Sequence, residues 1–141
     1  MRFPVLGSAV DVALVLVFAA VGRANHVKGV TVLGVIDTAW PFLVGLVLGW
    51  ATARLLWRDW PRGVVQAVPV WLLTVAVGLL LRVLSGGGGA PISFAVVATV
   101  VLGIFLLGWR GLAGLRGLAP WRGSRQPVPQ ASGDQPGGAN T

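Results

Sequence analysis

Residues 34–52, GVIDTAWPFLVGLVLGWAT, form an apolar run that places Asp37, Thr38, Trp40 and Pro41 in its first half and Gly45 and Gly49 in its second. About 19 residues at 1.5 Å each span the roughly 30 Å hydrocarbon core of a bilayer, so the run predicts a membrane-crossing helix. On a helical wheel Gly34, Asp37, Thr38, Pro41, Gly45, Gly49 and Thr52 share an arc of roughly 120°. The opposite side carries Ile36, Leu43, Val47, Trp50 and Arg54, which suit lipid and the headgroup boundary. Gly45 and Gly49 have the Gly-x-x-x-Gly spacing that lets two helix backbones approach closely. Pro41 lacks an amide hydrogen and so releases the carbonyl of Asp37, where a kink is expected. Asp37, its carbonyl and the Thr38 hydroxyl would then form a proton or cation site, because ionisable residues at membrane depth mark pathways or buried pairs. The plainer alternative is a kinked packing helix whose aspartate is neutral or paired.

Working outward, the 141 residues are 55% hydrophobic and 11% charged, with a mean hydropathy of +0.82. This is the composition of a membrane protein. There is no cysteine, which removes disulfides and thiolate chemistry. Eleven basic residues stand against four acidic ones, but they lie in short loops and the tail, where membrane topology accounts for them and nucleic acid is not an expected partner. The apolar N-terminal stretch has some look of a signal peptide, but Asp11 within it argues for a retained helix.

The pattern predicts an all-α integral membrane bundle of four helices, over about residues 4–22, 30–57, 64–84 and 91–109. Residues 111–125 read as a basic juxtamembrane segment able to meet anionic lipid, and residues 126–141 as a disordered Pro- and Gly-rich tail. The single histidine, His26, shares the first loop with Arg23 and Lys28 and reads as solvated rather than as a metal ligand. Thr74, Gly78 and Arg82 share a face of the third helix, and Thr99, Gly103 and Arg110 one of the fourth. Eight arginines fall on one side of the membrane, and Arg23, Lys28 and Arg82 on the other. By the positive-inside rule, both termini are expected in the cytoplasm, with the chain multi-pass in the cell membrane.

This topology sorts the charges into two layers. Asp11, Arg54 and Arg110 lie towards the inner face, and Asp37, Arg23, His26 and Arg82 towards the outer. The expected pairs are Asp11 with Arg110 and Asp37 with Arg82, Arg54 being turned the wrong way. Arg23 matches Arg82, and Gly49-Trp50 matches Gly108-Trp109, at one offset of about 59 residues, a spacing that would suit a duplicated pair of helices.

Asp11, Gly22-Arg23 with His26, Thr38-Ala39-Trp40-Pro41-Phe42, Leu81-Arg82, Val97-Ala98-Thr99 and Gly108-Trp109-Arg110 together resemble an uncharacterised family of four-helix membrane proteins, domain-of-unknown-function family 3054, known mainly from actinobacteria and some haloarchaea. The resemblance implies architecture and a bacterial origin, hence the bacterial inner membrane, and carries no activity.

Two functions fit the residues. The first is a proton- or cation-coupled transporter or channel, acting as a homo-oligomer through Asp11 and Asp37. The second is a non-catalytic accessory or scaffold subunit that docks a larger membrane complex. A lipid-modifying enzyme ranks last, because the sequence offers no nucleophile with a base and no metal-ligand cluster. The expected partners are therefore membrane lipid, further copies or a larger complex, with no cofactor and no metal. The deciding feature is whether Asp11 faces an accessible cavity or a dry partner helix.

Overall fold

The computed structural model describes residues 2–24, 29–86 and 89–117. Four helices account for almost all of them: α1 (Arg2–Ala24), α2 (Val32–Trp57), α3 (Val64–Leu84) and α4 (Ile92–Gly117). Each is long and apolar enough to cross a membrane, and the protein is an all-α integral membrane bundle. Consecutive helices are neighbours, and α4 returns to α1 to close a ring.

The α2–α3 pair is the most intimate, and the two α2 glycines explain why. A Cβ added to Gly45 would sit 2.7 Å from the Leu73 carbonyl oxygen, and one on Gly49 would sit 2.7 Å from the Val70 Cα. Only a bare α-carbon lets these backbones touch, and close van der Waals contact is a main source of helix association in lipid. Gly78 of α3 gives the Phe42 ring its room in the same way. On α4, Gly103 receives Trp71, whose indole Nε1 donates to the Thr99 carbonyl at 3.0 Å. The core between the helices is Val15, Phe18, Phe42, Leu46, Val70, Ala98, Leu102 and Leu106. At one end Phe18 and Phe42 meet edge to face at 5.3 Å, with Phe94 beside both.

Two expected boundaries move. Arg23 belongs to the last turn of α1 rather than to a loop. The fourth helix does not end near residue 109 but runs through Gly117, so the beginning of the basic segment is helical. Glycine costs about 1 kcal/mol per helical position relative to alanine, a penalty that α4 carries at Gly111, Gly114 and Gly117. His26 and the tail beyond Gly117 lie outside the described residues.

The rotation of α2 also differs from its wheel. Gly34, Thr38, Pro41, Gly45 and Gly49 are buried, but Asp37 is exposed and Trp50 is half-buried on the core side. A helix flanked by both α1 and α3 buries an arc of about 180° rather than one narrow stripe. The buried arc extends from the glycines through Phe42, Leu46 and Ala53 towards Trp50, leaving Asp37 just beyond its other edge. Helix α2 continues through Pro41, and Thr31 caps its start by accepting from the Gly34 amide at 3.2 Å.

Gly45→Val or Gly49→Val should cost about 3 kcal/mol or more, because the added atoms meet helix backbone that has nowhere to go. Gly22→Ala, with nothing within 4 Å of its added Cβ, is the control and should hold or gain stability. Thermal unfolding in mild detergent reads both.

Candidate functional site

Asp11 sits in the N-terminal half of α1 with no solvent exposure, and Arg110 of α4 is 2% exposed. An unpaired carboxylate or guanidinium in such a place would cost several kcal/mol, so the chain must supply partners. It supplies them completely. Arg110 presents its planar fork, with Nη2 donating to Asp11 Oδ2 at 2.6 Å and Nη1 to Oδ1 at 2.9 Å. Trp50 Nε1 of α2 donates to Oδ2 at 3.0 Å, and Trp109 Nε1 of α4 donates to Oδ1 at 2.9 Å. Each carboxylate oxygen thus accepts one guanidinium and one indole hydrogen, which uses its two lone pairs. The bidentate ion pair is among the strongest hydrogen-bonded arrangements available to side chains.

Two further guanidinium hydrogens are engaged as well. Nη1 donates to the Leu106 carbonyl of its own helix at 2.9 Å, and Nε to the Pro61 carbonyl in the α2–α3 turn at 3.3 Å. Trp60 of that turn packs its ring 5.8 Å from Trp50. Gly7, one turn before Asp11, leaves space on α1 for the edge of the Trp109 ring, 3.6 Å from where a Cβ would be. Three helices and the turn therefore converge on one carboxylate.

The other expected site residues do not assemble. Thr38 bonds its hydroxyl to the Gly34 carbonyl at 3.0 Å, the ordinary back-bond of a helical threonine. Thr74 and Thr99 do the same to Val70 and Ala95. The expected Asp37–Arg82 ion pair is not formed. The α2–α3 register sets Gly45 against Thr74 and Gly49 against Val70, which brings Asp37 level with Arg82. However, Arg82 turns towards α4, where Nε donates to the Gly89 carbonyl at 3.0 Å and the guanidinium lies 4.7 Å over the Phe94 ring. Asp37 points outward and, among the described residues, makes no ion pair. Arg23 packs its guanidinium on Gly34, and its Nε is buried without an acceptor among the described residues. A lateral groove of about 400 Å³ lies along α2, lined by Trp40, Leu43, Val44, Val47 and Leu48, none of which is Asp11 or a side chain that bonds it.

Sequence reasoning missed Trp50 and Trp109 as ligands of Asp11, setting Trp50 on the lipid and headgroup side and giving Trp109 no contact. Their signal was the shared Gly-Trp step at one offset in the second and fourth helices, at the depth of Asp11.

Removing one charge strands the other. Asp11→Asn or Arg110→Gln should therefore lose about 3–5 kcal/mol of stability, whereas replacing both by Leu and Met should recover most of that loss. Trp50→Phe removes one donor and should cost about 1–2 kcal/mol. Unfolding transitions of the four variants measure this ordering.

No curated protein and no solved structure matches the chain. A family model does match, over residues 8–113, a segment that begins just before Asp11 and ends just after Arg110. The chain belongs to the family described as "Protein of unknown function (DUF3054)".

Proposed function

We propose that this protein is a non-catalytic accessory or scaffold subunit of a larger membrane assembly, with both termini in the cytoplasm, rather than a proton-coupled carrier. The observation that supports this reading is the saturation of Asp11: its two oxygens accept four hydrogen bonds from Arg110, Trp50 and Trp109. A transported proton or cation needs a free lone pair and a wet approach, and here it would have to displace a donor from a dry site. A bundle this tightly fixed at one end suits a rigid docking body. The outward α2 face offers the surface for it, because Asp37 and Trp40 stand exposed there and Trp40 lines an apolar groove.

Reconstitution into liposomes with an imposed pH gradient tests the choice. The expected result is a gradient that decays no faster than in protein-free liposomes, with Asp11→Asn losing stability only. A gradient collapsed by the wild type and preserved by folded Asp11→Asn would establish transport instead.

A further inference from the structure

The α2–α3 turn carries Arg58 and Arg62, and the last turn of α2 carries Arg54, all exposed, against the single acid Asp59, which lies 3.9 Å from the Arg62 guanidinium. Loops at membrane surfaces are often basic, but this one is also built. The Pro61 carbonyl is held by the buried Arg110, and Trp60 packs at a tilt against Trp50. Gln66 gathers the amides of Arg62 and Gly63 on its side-chain oxygen at 2.9 and 3.3 Å, and Asp59 accepts from the Trp60 amide at 2.7 Å. The turn is thereby fixed to the same network that locks α1 to α4.

Arg58 caps α2 in the left-handed region, with φ +54°, and among the described residues it is the one non-glycine with positive φ. Glycine takes that conformation freely, whereas a side chain there is strained. An outlier of this kind asks for a reason at the side chain, and here the side chain is a guanidinium at the membrane boundary.

The neighbours say what it meets. Leu55, Leu56 and Val65 are 81%, 64% and 73% exposed immediately before and after the turn, and Trp57 is 40% exposed beside Arg58. A partner of this surface must offer negative charge at the arginines and hydrocarbon directly beside them. We propose that the turn, with Arg54 one helical turn before it, binds the phosphate headgroups of anionic phospholipids in the adjacent leaflet. The guanidinium forks suit phosphate oxygens, and Trp57 sits at headgroup depth. The surface is independent of whether the protein serves a larger assembly.

Native mass spectrometry of the full chain in mild detergent, titrated with dioleoylphosphatidylglycerol or with dioleoylphosphatidylcholine, tests the proposal. The expected result is selective retention of phosphatidylglycerol, weakened about fivefold per arginine removed and about a hundredfold in the Arg54→Gln, Arg58→Gln, Arg62→Gln triple variant. Arg58→Gly separates strain from binding: it should raise the lipid-free melting temperature while weakening phosphatidylglycerol binding. Three results would overturn the proposal: equal retention of the two lipids, wild-type affinity in the triple variant, or an effect of inorganic phosphate that abolishes lipid retention at millimolar concentration and so marks a small-anion site. An Arg58→Gly variant with undiminished lipid binding would remove Arg58 from it.

Discussion

One carboxylate in the interior of a membrane bundle has to be neutralised, and much of this structure follows from how that is done. Asp11 takes both arms of Arg110 and the indole hydrogens of Trp50 and Trp109. In water such a pair would contribute little, because solvent competes for every hydrogen bond. In a dry interior neither partner has anywhere else to go, so the pair fixes the axial position and rotation of α1 against α4. The same guanidinium reaches the Pro61 carbonyl, which ties the α2–α3 turn to the contact. A buried ion pair is weak evidence for stability, and its best-attested use is to specify one arrangement among several apolar ones. Helices whose faces are mostly leucine, valine and alanine have many ways to pack, and this contact selects one.

The bundle uses different chemistry at different places round the ring. Between α2 and α3 the association rests on shape, with Gly45 and Gly49 bringing backbone to backbone. Between α1 and α4 the helices meet less closely, and the charge pair at one end and the Phe18–Phe94 contact at the other hold them. The division follows from what each helix carries. Small residues allow contact that is unspecific in chemistry but exact in distance, whereas a bidentate pair sets direction and tolerates a wider gap.

The two charge layers legible in the chain have opposite fates. In the layer of Asp11 the charges close on each other, with Asp11 and Arg110 face to face. The layer of Asp37 stays open: Arg82 is drawn to the Gly89 carbonyl and the Phe94 ring, Arg23 packs on Gly34, and Asp37 faces outward. Depth was readable for all of these residues, since it depends only on position along a helix of known rise. Azimuth was not, because it depends on how many neighbours a helix has. The wheel of α2 placed Asp37 with the glycines and Trp50 with the lipid, and contact with two helices turned both assignments round.

The sequence by itself determined that this chain is a four-helix membrane bundle, where its glycines fall for close packing, and at which depth its charges lie. Those properties follow from hydropathy and rise along the chain, which need no knowledge of neighbours. The tertiary structure decided which donors fill the lone pairs of Asp11, that two tryptophans turn inward to do so, and that Asp37 does not join them. Those outcomes come from competition among several partners for one buried group, and only simultaneous packing of all four helices settles it.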